Sequence, residues 1–402
     1  MTTGRRVRVL AAGALAVAVA LAGCSSDGDG TPQAGPSTAP TSSDAPLIPE
    51  PTEVPTELPE DLLVGEMQDL AKLAERLAQQ LPQQRRPAPV VVAGGSEQWR
   101  AGVAYRGYFA DPDVVRANGR WYAYATNTAG LRLPTLVSRD LVTWTPLTDG
   151  AGRAVDPLQP AGWVRSRGRG KSLWAPGVDK VGNGWTAAYA APAGTSGGER
   201  HNCIGLSRGP SPAGPFRPVG EPLCYGQAQL GVIDPDVFVD ETGVPWLLWK
   251  FSGVVNRRPA GLFIRQLNRD GTGFAEGSET RELLTLSERW EGDTIENPSM
   301  VQFRGVTYLF YSGSSWERAD YATGYAICAG PQGPCVRQNQ GLPLLSTATT
   351  GHPGPGGASA IVTGKSLRLV YHAWDRVGGL RRLHVAGLWQ REDGTLEVVH
   401  PG

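Results

Sequence analysis

From about Val90 onward, apolar and polar positions alternate over runs too short for helices. "WYAYAT" at Trp121, "WTAAYAA" at Trp185, "PWLLWK" at Pro245, "VTYLFYSG" at Val306 and "LRLVYHAW" at Leu367 each follow a glycine-containing turn. Those turns read "ANGR", "VGNG", "ETGV", "FRGV" and "TGKS", and a further short apolar run precedes each of them. Period-two alternation bounded by such turns predicts hairpins of short strands. The upstream strands open alike, with "ADPDVV" around Asp111, "LWAPGV" around Trp174, "IDPDVF" around Asp234, "IENPSM" around Glu296 and "GPGGASAIV" around Gly357. These openings recur at near-equal steps of roughly sixty residues, which is the mark of radial repetition. The pattern predicts an all-β fold over residues 90–402, a five-bladed β-propeller with one four-stranded blade per repeat. Strand starts that recur at one phase belong on one ring around the axis.

Upstream the pattern changes three times. Residues 61–82 carry Leu63, Met67, Leu70, Ala74, Leu77 and Leu81 at alternating spacings of four and three, a single apolar stripe that predicts a short amphipathic helix ended by Pro82. Residues 25–60 are Pro, Ser, Thr, Asp and Gly with few large apolar groups, and they predict a disordered tether. Residues 1–24 place Arg5, Arg6 and Arg8 before the apolar run "VLAAGALAVAVALAG", which predicts an export signal. That run ends in "LAGC", which resembles a bacterial lipobox and implies lipidation of Cys24. The expected location is therefore the outer face of the cell membrane, reached through lipid on Cys24.

Composition narrows the possibilities. With 38 basic and 38 acidic residues the formal net charge is zero, which argues against a nucleic-acid partner. Five cysteines less Cys24 leave four for an oxidising compartment. Nearness in sequence favours Cys203–Cys224 and Cys328–Cys335 among the three possible pairings. A monomer is expected.

The candidate chemistry sits at the repeated strand start, where the five units carry Asp111, Trp174, Asp234, Glu296 and a glycine-rich segment. In a propeller these acids converge at one mouth of the axis, and crowding should raise at least one pKa. Two chemistries fit such a trio. One is a hard-oxygen site for a calcium-like ion. The other is glycoside hydrolysis, in which one carboxyl protonates the leaving oxygen and another activates water. Aromatic residues that can stack on sugar rings favour the second, with Trp174, Trp316 and Tyr321 as candidates. Asp before Pro also caps turns. Asp113 and Asp236 lie one strand repeat further along the same face and are the alternative acids if the register is two residues off, although a polar strand-end role fits them better. Glu291 and Asp293 read as loop residues.

From about Gly107 to its end the chain resembles glycoside hydrolase family 43, the five-bladed arabinanases, arabinofuranosidases and xylosidases. The resemblance rests on "FADPDVV", "SLWAPGV", "VIDPDVFVD", "TIENPSMV" and "GPGGAS", one per repeat and in this order, supported by "SRDLVTW", "SPAGPF" and "RRLHVAGLWQREDG". It implies Asp111 as general base, Glu296 as general acid and Asp234 as the third carboxylate, ionised beside Glu296 and holding Glu296 protonated. It also implies inversion, with the base and acid separated by roughly 6.5–9.5 Å. Members often carry a histidine in the fifth motif that can bind an axial calcium ion. Gly357 stands there instead, and His352, five residues upstream, is the substitute candidate. No cofactor is expected. The function that follows is a surface-tethered glycosidase acting on arabinofuranosyl or xylosyl linkages of an oligo- or polysaccharide. The alternative is a non-catalytic glycan-binding propeller. A levan- or sucrose-cleaving propeller would show Glu-Cys near the acid, and "TIENPSM" has no cysteine.

Overall fold

The computed structural model describes residues 102–128, 130–165, 172–196, 199–225, 230–375 and 379–399. The export signal with Cys24, the tether and the helix over 61–82 lie outside these residues. None of the helices within them is long and apolar enough to cross a membrane.

Strand β1 (Val103–Tyr105) is followed by four consecutive four-stranded antiparallel sheets. Blade I holds β2 (Asp113–Ala117), β3 (Arg120–Tyr124), β4 (Thr135–Ser138) and β5 (Thr145–Pro146). Blade II holds β6 (Trp174–Val181), β7 (Gly184–Ser196), β8 (Glu199–Gly209) and β9 (Arg217–Cys224). Blade III holds β10 (Val232–Val239), β11 (Pro245–Phe251), β12 (Gly261–Gln266) and β13 (Arg281–Thr285). Blade IV holds β14 (Ile295–Phe303), β15 (Val306–Gly313), β16 (Ala322–Cys328) and β17 (Cys335–Arg337). Blade V is built from β18 (Gly356–Thr363), β19 (Ser366–Trp374) and β20 (Arg381–Gln390). Its outer edge is shared, since β1 pairs with β20 at Leu383 and His384 while β21 (Leu396–Val399) pairs further along, at Gly387–Gln390. The N-terminal strand thereby closes the ring. The five predicted blades and the hairpin within each are present.

Alternation along each strand gives every sheet two apolar faces, and the core is accordingly divided into five wedges. Tyr124 of blade I packs with Val178 and Tyr189 of blade II. Ala188 of blade II packs with Trp249 of blade III, and Leu248 of blade III with Met300 of blade IV. Phe310 of blade IV packs with Tyr371 of blade V, and Val370 of blade V with Trp121 of blade I. Both expected disulfides form, Cys203–Cys224 across β8 and β9 and Cys328–Cys335 across β16 and β17.

A left-handed residue stands near the start of each inner strand, namely Asp111 (φ 51°), Ala175 (φ 40°), Asp234 (φ 53°), Asn297 (φ 48°) and Gly357 (φ 57°). In β6, β10, β14 and β18 this residue falls within a break in the pairing register. This corrects the phase read from the sequence. The residues equivalent to Asp111 and Asp234 are Ala175 and Asn297, while Trp174 and Glu296 sit one position earlier. A bulge turns successive side chains out of simple alternation, so the acid of blade IV reaches the hub from a neighbouring position.

Two residues further on, a second ring ties each blade to the next. Asp113 Oδ2 accepts from the Val178 N–H at 2.7 Å, Asp236 Oδ2 from Met300 at 3.0 Å, Ser299 Oγ from Ala360 at 3.1 Å and Ser359 Oγ from Val114 at 3.2 Å. At the remaining junction stands Gly177, where a Cβ would come within 2.6 Å of the Pro235 carbonyl oxygen, so blade III packs directly on the backbone. Asp113 and Asp236 are therefore inter-blade latches.

Candidate active site

The carboxyl of Asp111 is held from two other blade elements. Its Oδ2 accepts from the Thr126 hydroxyl at 2.5 Å, and its Oδ1 lies 3.3 Å from Nη1 of Arg381 on β20. The Asp111 backbone N–H donates to Nδ1 of His372 on β19 at 3.0 Å. An accepting Nδ1 places the imidazole proton on Nε2, and burial, together with the nearby charge of Arg381, holds the His372 pKa well below the ordinary histidine value. The Arg381 guanidinium in turn lies 4.4 Å above the Trp316 ring and bonds to the Tyr108 hydroxyl.

Glu296 faces a different cation. Lys250, at the end of β11, places Nζ 2.8 Å from Glu296 Oε2, and both side chains are buried. The Tyr321 hydroxyl lies 2.8 Å from Glu296 Oε1 and equally close to Asn297 Oδ1. Burial opposes the Lys250 charge, but Glu296 and Asp234 keep its pKa above the usual lysine value. Asp234 has less support, its Oδ2 accepting from the Asn297 N–H at 3.1 Å. Burial, then the charge of Glu296, pushes its carboxyl up to about 8. This shift disfavours the ionised form of Asp234 that the family resemblance implies, and Glu296 is the member of the pair engaged by an ammonium.

Other predicted site residues fare differently. Trp316 is part-exposed and stacks on Trp374 with ring centroids 6.0 Å apart. Trp174 is half-buried at the head of β6. Tyr321 is fully buried, so its ring is closed to a sugar and only its hydroxyl serves the site. His352 packs against His384 at 4.4 Å rather than on the acids. Glu291 is fully buried, with Arg337 Nε 2.7 Å from its Oε1, and it braces its loop. The axial cavity between the five turns is about 30 Å³, room for about one water and too small for a sugar. Any saccharide must sit above it, at the mouth.

A sequence profile described as "Glycosyl hydrolases family 43" matches residues 103–395, nearly the whole described region. The chain belongs to glycosyl hydrolase family 43. A thermostable family-43 glycoside hydrolase of known structure is 27% identical, with a TM-score of 0.61, and the match covers 73% of this chain and 93% of that one. An endo-1,4-β-xylanase from Bacteroides thetaiotaomicron is 25% identical with a TM-score of 0.59, covering 74% and 96%. The α-L-arabinanase of Cellvibrio cellulosa, solved with arabinohexaose, is 22% identical with a TM-score of 0.55, covering 73% and 96%, and shares the fold. A protein of Xylanibacter ruminicola that carries the name β-xylosidase is 22% identical over 217 residues, 53% of this chain, and this chain spans only 36% of its length.

The fifth-blade histidine through which the family resemblance implies an axial metal is replaced here by Gly357. A Cβ on Gly357 would come within 2.7 Å of the His372 ring, so no histidine fits there. His372 Nδ1 is already engaged by the Asp111 N–H. Among the described residues no group of three or more His, Cys, Asp or Glu is arranged to hold a metal ion. The site also contains residues that the strand-start motif did not reveal, namely Lys250, Arg381, His372 and Thr126. Three of these occupy one repeated position, where the end of the second strand meets the next blade. Lys250 meets Glu296, His372 meets Asp111, Thr126 Oγ1 accepts from the Ala175 N–H at 3.0 Å, and at the same position Ser312 Oγ accepts from Gly357 at 2.8 Å.

Proposed function

We propose that this chain is an inverting glycoside hydrolase that cleaves arabinofuranosyl or xylosyl linkages, with Asp111 as base and Glu296 as acid. The observation carrying this reading is that two carboxyls from different blades reach one mouth, each beside its own buried cation, with a third carboxyl able to hold a proton between them. Asp111, oriented by Thr126 and Arg381, would remove a proton from the attacking water. Glu296 would protonate the departing oxygen. Burial disfavours the ionised form of Asp234, so the Asp234–Glu296 pair can retain the proton that Glu296 delivers to the leaving oxygen. The part-exposed Trp316, held beside the base by Arg381 and Trp374, supports contact with a sugar. No cofactor enters any step, and residues 1–24 support lipid anchoring through Cys24 at the cell surface.

The test is to incubate the purified protein with aryl arabinofuranosides, aryl xylosides, arabinan, arabinoxylan and xylan, and to read the first-formed anomer by NMR. An inverted pentose product is expected, and release of no sugar from any of them would sink the hydrolase reading. The Glu296–Lys250 pair favours one second reading. A glutamate held by an ammonium suits hydrogen bonding to sugar hydroxyls as well as proton donation, and binding measured by calorimetry without product would identify a glycan-binding propeller.

A further inference from the structure

Beyond the hub, a groove of about 820 Å³ runs over blade IV. It begins next to the proposed acid. Glu296 pairs with Ser312 across β14 and β15, Ile295 pairs with Gly313, and Gly313 pairs with Ala322 on β16. Ala322 itself, and Asp293 and Ser314 near these pairs, line the groove.

Its floor is aromatic and built for that purpose. The Trp290 indole lies over Gly313 and Gly324, where a Cβ would come within 2.8 Å of Cζ3 and 2.6 Å of Cζ2. Neither glycine has a positive φ, so backbone freedom does not explain them, whereas the close approach of the indole does. Tyr311 flanks the same ring at 5.6 Å. The next residue, Glu291, is locked by Arg337, by the Tyr311 hydroxyl at 2.8 Å and by the Ser287 and Glu288 N–H groups. Trp290 is therefore a fixed platform, half-exposed to the groove. The same lining offers the Arg318–Asp320 pair, with Ser314 Oγ 3.1 Å from Asp320, and the Thr347 hydroxyl bonded to the Ala319 carbonyl. An indole face with a rim of hydroxyls and paired donors and acceptors matches a sugar ring, which has an apolar C–H face and an edge of hydroxyls.

We infer that the groove over blade IV is a binding subsite for the glycan chain on the leaving-group side of the scissile bond, with Trp290 as its platform. This rests on the hydrolase reading, which assigns the side. An acid protonates the leaving oxygen, so the departing chain lies beside Glu296 and over blade IV. The natural substrate is then a linkage to a further saccharide rather than to a small aglycone.

The experiment compares kcat/KM on an aryl glycoside with that on the matching oligosaccharide series of two to six units. Trp290→Ala should lower the ratio of oligosaccharide to aryl-glycoside kcat/KM by about 10-fold. Gly324→Val, which lifts the indole without removing it, should lower the ratio in the same direction. A merely structural role would reduce both rates together, and an unchanged ratio in both variants overturns the subsite. If the wild type hydrolyses none of these substrates, the hydrolase reading fails on its own. The subsite is then judged by quenching of tryptophan fluorescence with xylo- and arabino-oligosaccharides. Saturable quenching that is lost in Trp290→Ala upholds a glycan site, and no quenching ends it.

Discussion

Asp111 and Asp113 stand two residues apart on one turn, and Asp234 and Asp236 repeat the arrangement two blades on. Chemically the four side chains are the same. Asp111 faces a hydroxyl and a guanidinium at the mouth, while Asp113 faces the backbone N–H of Val178 and the hydroxyl of Ser359 within the hub. The first of each pair stands among the charged groups of the mouth, Asp111 beside Arg381 and Asp234 beside Glu296 and Lys250. The second accepts hydrogen bonds from the neighbouring blade and holds the ring together. Position relative to the left-handed residue decides between reaction and architecture, because the bulge there points one carboxylate out of the mouth and the other across the junction.

The largest expected effect tests that division directly. Asp111→Asn and Glu296→Gln should each cut turnover on an aryl glycoside by about 10³-fold, with Glu296→Gln also losing stability because the buried Lys250 ammonium loses its carboxylate, whereas Asp113→Asn should retain turnover. Equal losses in all three would erase the distinction between mouth and hub. Next comes Lys250→Met, which strands the buried Glu296 carboxylate and should cost about 3–5 kcal/mol in denaturant unfolding. The pH profile sharpens the same point. Asp234 is raised to about 8, so activity should fall as the pH rises through that value and the pair loses its proton. Lys250 lowers the Asp234 pKa, so in an active Lys250→Met variant the alkaline limb should move to higher pH, and a limb that stays put would uncouple Lys250 from the proton.

Smaller effects belong to the latches. Asp113→Ala, which leaves the Val178 N–H without its acceptor, should cost about 1–3 kcal/mol, and Asp113→Asn, which keeps an acceptor, less. Burial raises the Asp113 carboxyl from 3.8 to about 6. The folded state thus binds this proton more tightly than the unfolded chain does. Its contribution is complete below the ordinary carboxylate range and is lost as the pH rises through about 6. Scanning calorimetry should show that part of the decline in wild type and a shallower one in Asp113→Asn.

The blade number and the convergence of three acids were legible because every blade writes its inner strand with the same opening. The phase was not fully legible. Spacing alone aligned Trp174 and Glu296 with Asp111, and only the prolines of Ala175-Pro176 and Asn297-Pro298 mark the true equivalents. Lys250 and His372 were also written in phase, as polar residues at or near the end of the aromatic runs "PWLLWK" and "LRLVYHAW". A lysine after an apolar run reads as a strand leaving the core. It is buried here because the next blade supplies Glu296, and that partner lies 46 residues away. Arg381 gave no comparable sign, since it comes from a third strand. The upward shift of the Asp234 carboxyl depends on burial, which spacing does not report.

One more consequence follows from how the ring is closed. The N-terminal strand holds blade V through Val103 and Tyr105, paired to His384 and Leu383. Tension that arrives along the backbone at Val103 therefore loads this three-residue clasp first among the described strands. Under shear or pulling, failure should start by peeling at that seam, with blades II to IV still intact.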